Sequence, residues 1–480
     1  MPGTIIHHPS SSILSSMSGS DQKKIILFVS SLASFLVPYT VSSLNVALPA
    51  IGSQFSLDAV TLGWITTAYI FTASVLILPL GGLADIYGRK RVFLLGNILF
   101  AIGSLMAAFS LSGSDLIISR IIQGLGGSMV FATSVAIVTV VFPPGERGRA
   151  IGIITATVYA GLSLGPVLGG FLTQHLGWPA IFLLNVPLAL VVILLTLAGI
   201  PGEWKSESGC RYDRRGAVLY SLMLIAGIYG LTILPGLFGV FWMAAGLILA
   251  WFFVRWEKQQ SMPLINISLF SQNHTFLFSN LAAMINYAVV FAIGFLVSLS
   301  FQYNRGIDPT TTGLILLSQP LIQTIVSPFA GQLSDIIQPR IIATVGMACT
   351  TGGLVILLLT ISSATMPYII VGLCVLGLGY GLFSSPNTNA IMSSVPVKFL
   401  GMASGMVSTM RSIGQLISMA IAMIVFALIM GTVQITPAVY GGLEQSVTVI
   451  LWIFVILGVL GTGASYARGA LVRSDTEESS

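Results

Sequence analysis

Long apolar segments alternate with short polar ones along most of this chain. A helix that crosses the hydrocarbon core of a bilayer needs about 20 mostly apolar residues. Fourteen segments meet this length, and only Pro235 and Gly236 separate the seventh from the eighth, which predicts a tight hairpin. The predicted helices cover residues 24–45, 59–83, 91–111, 116–142, 148–172, 179–199, 216–234, 237–255, 273–300, 311–334, 340–361, 366–393, 402–430 and 446–467.

The composition excludes a soluble protein. Of the 480 residues, 55% are hydrophobic and 7% are charged, whereas soluble domains carry about 25% charged residues. Lipid must therefore be the solvent for most of the surface. The three cysteines are scattered and the four histidines lie in the tail or at helix ends, so we expect no disulfide framework, metal site or cofactor. Without such a constellation, we do not expect an enzyme.

The basic residues indicate how the chain is oriented. Of the twenty Lys and Arg residues, Arg120 and Arg411 lie within predicted helices and Arg305 alone falls on one side. The remaining seventeen fall on the other side, where both termini also lie. Because positive loops stay in the cytoplasm, we predict a multi-pass protein of the cell membrane with both termini cytoplasmic. This placement explains the basic balance without nucleic acid.

An internal repeat divides the chain into two halves. The segment Gly81–Asp85 recurs as Gly331–Asp335 at an offset of 250 residues, and Gly124-Leu-Gly recurs as Gly377-Leu-Gly at an offset of 253. Such repeats build secondary transporters, with the substrate site between them. We therefore predict an all-α fold with two six-helix bundles and two extra helices between them. The predicted divisions are a disordered tail 1–23, a bundle 24–200, a loop and two-helix insertion 201–258, a bundle 259–470 and an acidic tail 471–480.

Two motifs suggest moving parts. The first is the glycine-rich loop after the second helix, in which an acid sits within a basic cluster. We expect Asp85 to face the N-terminus of the helix that starts near Gly401, where free N–H groups favour an anion. The predicted gating residues of this loop and its repeat are Asp85, Gly88, Arg89, Lys90, Asp335 and Arg340.

The second motif is a glycine face on the fifth helix. Gly161, Gly165 and Gly169 are spaced by four residues, which forms a smooth face for close helix packing, and Pro166 adds a kink. We expect this face to contact a helix of the other half of the chain during gating.

Together these features resemble the major facilitator superfamily, and within it the fourteen-helix drug:proton antiporter branch. The loop 81–91 is similar to the signature between helices two and three, and residues 120–126 are similar to the helix-four motif. The series from Gly152 to Gly169 looks like the antiporter signature of helix five. The resemblance implies an exporter of lipophilic small molecules that works by alternating access, in a bilayer, with protons as the coupling ion and with a monomeric chain.

One departure concerns the coupling ion. The branch usually has an Asp in helix one at the position that Thr40 occupies here, and no Asp or Glu lies in the centre of any predicted helix. Two alternatives remain: Asp58 or Asp115, at helix ends, carries the proton, or coupling does not use the protein's own carboxylates.

The depth of polar and aromatic residues in the predicted helices gives the candidate substrate site. It comprises Thr40, Tyr69, Arg120, Gln123, Asn280, Tyr287, Gln319, Gln323, Asn387, Arg411 and Gln415. A charge within the bilayer is costly and usually faces the bundle interior. Arg120 or Arg411 therefore supports an alternative reading, in which the chain exports or facilitates an anionic metabolite. A non-transporting membrane sensor is a third reading.

Overall fold

The computed structural model describes residues 19–200, 202–205, 212–260, 264–265, 267–361, 366–396 and 399–469. The predicted acidic tail and most of the predicted N-terminal tail lie outside these residues. In the described part, regular structure is helical, with one isolated bridge between Asp58 and Gln434. The all-α prediction is confirmed.

Seventeen α-helices follow one another along the described chain. They are α1 (Gly19–Phe55), α2 (Ala59–Tyr87), α3 (Arg89–Ala108), α4 (Gly113–Val141), α5 (Pro144–Leu176), α6 (Pro179–Gly199), α7 (Arg214–Thr232), α8 (Leu237–Glu257), α9 (Ile267–Gln272), α10 (His274–Val290), α11 (Ile293–Leu299), α12 (Pro309–Leu316), α13 (Ser318–Ile336), α14 (Pro339–Thr360), α15 (Met366–Ser393), α16 (Leu400–Ile429) and α17 (Tyr440–Ala467).

These helices form fourteen segments that are long and apolar enough to cross a membrane, as the apolar pattern predicts. The ninth segment is interrupted: α10 and α11 are followed by a π-helical turn, Ser300–Asn304. The first begins at Gly19, inside the stretch that we assigned to the tail, and runs to Phe55. Along α8 large apolar side chains such as Leu237, Phe238 and Leu247 are exposed, as lipid contact requires.

The helices cluster into two compact units. The first comprises the described residues within 1–253, 294–317 and 420–446, and the second comprises those within 254–293, 318–419 and 447–480. In the first unit α1 packs along α5, and α4 packs against α2 and α3. In the second unit α15 packs against α13 and α14.

The same glycine contacts occur separately in each unit. A Cβ on Gly126 would meet the backbone of Gly96 and Phe100, and a Cβ on Gly379 would meet that of Gly346 and Thr350. Each partner is offset by 250 residues and each glycine by 253, as in the sequence repeat. Close backbone approach therefore explains why both halves carry glycine at these positions.

The glycine face of α5 packs within its own half, which corrects our expectation. Gly161 lies against the backbone of Phe35, while Gly165 and Gly169 lie against Ser42 and Ser43 of α1. The nearest atoms to all three glycines belong to α1, because α5 lies along that helix over most of its length. The face therefore seats a neighbouring helix rather than one from the other half.

Segments of the second half nevertheless contact the first half inside the first unit. Gln302 Nε2 donates to the carbonyl of Val46 at 2.8 Å, and the Tyr303 hydroxyl donates to that of Pro49 at 3.2 Å. The backbone of Pro309 lies against Gly170, next to the predicted glycine face. These contacts lie at the end of α1 remote from the chain terminus.

Candidate functional site

Arg120 is held in the interior of the first unit, and no carboxylate of the described residues pairs with it. Its side chain, on α4, is fully buried. Nε donates to the carbonyl of Ile65 at 3.3 Å, and Nη1 donates to Gln123 Oε1. Gln123 in turn donates to Ser104 Oγ at 2.8 Å. The guanidinium lies over the Tyr69 ring, 4.6 Å from its centroid. Carbonyl, amide and aromatic groups thus stabilise the charge.

The predicted site residues of the first unit therefore form one cluster, except Thr40. Arg120, Gln123 and Tyr69 are in contact. Thr40 is fully buried, and its hydroxyl donates to the carbonyl of Leu36 one turn earlier, at 2.8 Å. A threonine bonded within its own helix does not supply the charge that the usual aspartate would.

An aromatic and cationic cluster lies in the second unit. Arg411 Nε donates to the Tyr287 hydroxyl at 3.0 Å, with the guanidinium carbon 5.2 Å from the ring centroid. Tyr380 meets Tyr287 edge to face, with centroids 5.4 Å apart and ring planes at 84°. Arg411 is half-buried. We call Tyr287, Tyr380 and Arg411 the aromatic cluster.

The other candidates of the second unit differ in how far their polar groups are engaged. Asn387 Oδ1 accepts from Arg468, and its Nδ2 donates to the carbonyl of Ser279. Asn280 donates to the carbonyl of Phe276 on its own helix. Gln323 is buried and Gln319 half-buried on α13, while Gln415 is half-buried one turn beyond Arg411 on α16.

The loop between α2 and α3 is fixed by the segment that follows α6. Arg89 pairs with Asp85, with 2.8 Å between Nη2 and Oδ1, and also donates to the carbonyl of Ala136. The carboxylate of Glu203 accepts from the backbone N–H of Lys90 at 2.8 Å and of Arg91 at 3.2 Å, which caps α3. Lys90 Nζ donates to Ile200.

The other predicted gating residues lie at Gly88 and in the repeat of this loop in the second half. The expected contact of Asp85 with the helix near Gly401 stays a prediction. The side chain of Asp335 lies outside the described residues. Gly88 has φ 114°, a conformation that favours glycine, and a Cβ there would strike Glu203. Arg340 lies over Tyr466, 4.1 Å from the ring centroid.

The two candidate proton carriers lie at helix N-termini. Asp58 Oδ1 accepts from the N–H groups of Val60 and Thr61 at the start of α2. Asp115, in the first turn of α4, accepts from the N–H of Leu111 at 3.3 Å. Within the described residues, no group of three His, Cys, Asp or Glu side chains could hold a metal ion.

Sequence reasoning missed three residues. Arg468 was counted as a cytoplasmic basic residue, but it is 1% exposed and bonds to Asn387 and Ser465. Glu203 lies between the sixth and seventh predicted helices, outside both motifs. Tyr380 was passed over although it directly follows the repeated Gly377-Leu-Gly motif. For Arg468, the one signal in the sequence is its position directly after the last apolar segment.

Fourteen apolar spans, a repeated half and buried charges without catalytic partners define a membrane transporter built from two homologous halves. The chain belongs to the Major Facilitator Superfamily, whose profile matches residues 30–211 and 279–467. The unmatched stretch 212–278 contains both inserted helices, α7 and α8. The protein is therefore a multi-pass membrane transporter of small molecules and not an enzyme.

Curated relatives include transporters and efflux proteins. The riboflavin transporter RibZ of Clostridioides difficile (strain 630) is 32% identical over 397 residues, which cover 82% of this chain and 86% of RibZ. The multidrug resistance protein Stp of Mycobacterium tuberculosis (strain CDC 1551 / Oshkosh) is 33% identical over 406 residues, covering 83% and 74%.

A solved structure shares the fold. A bacterial homologue of the human lysosomal transporter Spinster superposes with a TM-score of 0.68 at 15% identity, covering 95% of this chain and 97% of the other. The major facilitator fold that the motifs imply is confirmed.

Proposed function

We propose that this transporter exports lipophilic small molecules by alternating access. The observation that carries the proposal is the aromatic cluster of the second unit. Its two tyrosine rings are buried in the interior of the second unit, and the half-buried Arg411 guanidinium lies against one of them. Such groups suit planar aromatic compounds, because rings stack on aromatic faces and a guanidinium attracts π-electrons. The similarity to Stp, named as a multidrug resistance protein, supports the same substrate class.

The state of Arg120 supports lipophilic export over an anionic substrate held by this residue. Its side chain is fully buried, and Gln123, Ile65 and Tyr69 already surround the guanidinium. Only Nη2 has no hydrogen-bond partner among the described residues, so a substrate carboxylate would have to displace the contacts of Nε or Nη1 to bind the guanidinium with two hydrogen bonds. We therefore infer that Arg120 fixes α4 against α2, rather than binding an anion.

A second candidate is a planar heteroaromatic metabolite of the flavin type. The specific observation in its favour is the similarity to RibZ, named as a riboflavin transporter. Riboflavin would use the same rings and the same guanidinium. The two candidates therefore predict the same site and differ in the breadth of compounds accepted.

Alternating access is supported by the repeat and by the contacts at the remote end of α1. Gln302 and Tyr303 bond to carbonyls of the first half there, while the glycine-rich loop with Asp85 lies at the opposite end of α2. We propose that these two regions open in turn, with the remote end on the extracellular side.

Proton antiport is the proposed energy source, with Asp58 or Asp115 as the group that titrates. A proton carrier must gain and lose its proton while exposed to opposite sides, and carboxylates suit this role. The acids of the described spans lie near helix termini and not in the middle of a span, so the candidates are two residues at helix ends. The competing reading is transport that does not use the protein's own carboxylates.

Binding to purified protein tests the substrate class. A ligand present at about 100 times its Kd stabilises the folded state by roughly 2.7 kcal/mol, which raises the melting temperature. We expect ethidium and riboflavin, but not small aliphatic carboxylates, to raise it. Tyr380→Leu should abolish the rise, while Tyr368→Leu, at an exposed tyrosine on the same helix, should not. A rise with carboxylates alone would refute the proposal.

A further inference from the structure

Helix α2 contains a proline at a position that breaks its hydrogen bonding. Pro79 lies inside α2 and has no N–H, so the carbonyl of Val75, four residues earlier, cannot receive its usual helical bond. Val75 is 5% exposed. A buried carbonyl without a partner destabilises the fold, and a side chain usually supplies the missing bond.

The inserted helix α7 supplies that bond. The hydroxyl of Ser221 donates to the carbonyl of Val75 at 3.2 Å. On the preceding residue, the hydroxyl of Tyr220 donates to the carbonyl of Ser74, also at 3.2 Å. Tyr220 is 1% exposed, so its hydroxyl bonds away from bulk solvent. Two consecutive side chains of α7 thus bond to two consecutive carbonyls of α2.

A third hydroxyl meets α2 on the other side of the proline. The hydroxyl of Tyr212, just before α7, donates to the carbonyl of Pro79 at 3.0 Å. The ring of Tyr212 lies against Gly82, where a Cβ would come within 2.5 Å of a ring carbon. Burial, with a smaller effect of Asp213, raises the pKa of Tyr212 to about 12. The hydroxyl therefore keeps its proton at neutral pH.

These bonds lie just before the gating loop. Asp85, which pairs with Arg89 at the start of α3, lies three positions after Gly82. The angle between the parts of α2 before and after Pro79 therefore sets the position of Asp85. Because a proline break bends easily, contacts that bridge it control that angle.

We propose that the inserted helix α7 and the residue Tyr212 before it act as a hydroxyl clamp, formed by Tyr212, Tyr220 and Ser221, that fixes the proline break of α2. The three are positioning residues that set the orientation of the gating loop and so the rate of the transport cycle. This role goes beyond the proposed function and is independent of the substrate. It assigns a task to a region that the superfamily profile leaves unmatched.

A double-mutant cycle tests the clamp. Pro79→Ala restores an N–H for the carbonyl of Val75, so the hydroxyl of Ser221 is no longer needed. We expect Ser221→Ala to speed hydrogen exchange of the α2 amides 76–88 about fivefold, as the loss of one neutral hydrogen bond predicts. In the Pro79→Ala background, the same substitution should leave exchange unchanged.

Ethidium flux in proteoliposomes gives the second readout. Ser221→Ala should lower the maximal rate about fivefold with unchanged KM, whereas loss of a substrate contact would raise KM. Thr232→Ala on α7, whose hydroxyl bonds within its own helix, is the control and should have neither effect. If Ser221→Ala does not fold, Ser221→Thr and Ser221→Val replace it in the comparison. These two side chains are nearly isosteric, and only threonine keeps the hydroxyl.

Two results would overturn the clamp: equal effects of Ser221→Ala with and without Pro79, or unchanged exchange at residues 76–88. The exchange experiment needs no substrate. Absent ethidium flux in every variant, together with the expected exchange, would contradict the proposed substrate class and leave the clamp supported.

Discussion

Arg120 and Arg468 are buried arginines whose hydrogen bonds, within the described residues, go to neutral oxygen atoms. Arg120 bonds to Ile65 and Gln123, and Arg468 bonds to Asn387 and Ser465. A hydrogen bond to a charged group contributes about 1.5–3 kcal/mol to stability, and the loss of one partner leaves a buried charge that water cannot reach. The neutral partners of these arginines should therefore matter as much for stability as the arginines themselves.

Asn387 offers the sharpest test of this idea. Asn387→Leu has a similarly branched side chain but offers Arg468 no acceptor, so we expect a loss of about 1–3 kcal/mol in the free energy of unfolding. Asn387→Asp also loses the donation to the carbonyl of Ser279 but places a carboxylate beside Arg468, so it should be more stable than Asn387→Leu. Thermal unfolding of the purified protein measures the difference, and equal melting temperatures for the two variants would contradict the assignment.

The sequence predicts the burial of Arg120 but not that of Arg468. Arg120 was found because it interrupts a long apolar run, where a charge must face the protein interior. Arg468 follows such a run by one residue, so the pattern there also fits an ordinary basic residue at the membrane surface. Its burial depends on Thr275 and Asn387, which are distant in sequence and which no local pattern connects to it.

The helices themselves are the part of the fold that the sequence predicts best. Hydrophobic length yields the correct fourteen spans, because lipid demands helices of that length. The ends are less predictable, because polar residues extend the helices beyond the bilayer core. In the ninth span the π-helical turn at Ser300–Asn304 has no signal in the apolar pattern.

The glycines of α5 differ in a way that sequence spacing does not reveal. A Cβ on Gly165 would strike Ser42 of α1, whereas Gly152 on the same helix has open space around it. We expect Gly165→Ala to destabilise the protein by about 1–3 kcal/mol through overpacking. Gly152→Ala should be neutral or slightly stabilising, since alanine favours the helix.

Thermal unfolding of both variants checks this prediction in one experiment. A large loss in the Gly152 variant, or none in the Gly165 variant, would mean that the close approach of α1 and α5 does not determine the effect of a methyl group here.

The repeat at offsets of 250 and 253 residues governs the whole molecule. It predicts the fold class, and each unit carries equivalent glycine contacts, at Gly126 and at Gly379. The repeat does not predict the substrate, because recognition depends on side chains that differ between the halves. Arg120 of the first half corresponds to Leu373 at the offset of 253. The aromatic cluster likewise consists of side chains that the repeat does not predict.

Because the sequence has no acid in the middle of a predicted span, the coupling prediction concerns two particular residues, Asp58 and Asp115. Asp58→Asn keeps an N-cap residue of nearly equal quality but removes the group that titrates. Its effect on coupling should therefore exceed its effect on stability. The same reasoning applies to Asp115→Asn, whose carboxylate accepts only one described hydrogen bond, from Leu111.

Transport in proteoliposomes under an imposed pH gradient tests the central claim most directly. We predict that ethidium accumulates against its own concentration gradient when a proton gradient of opposite direction is applied. The accumulation should collapse when a protonophore is added, and Asp58→Asn or Asp115→Asn should abolish it while downhill flux continues. Flux that only follows the ethidium gradient, whatever the pH difference, would contradict proton-driven export, and no flux at all would contradict lipophilic export.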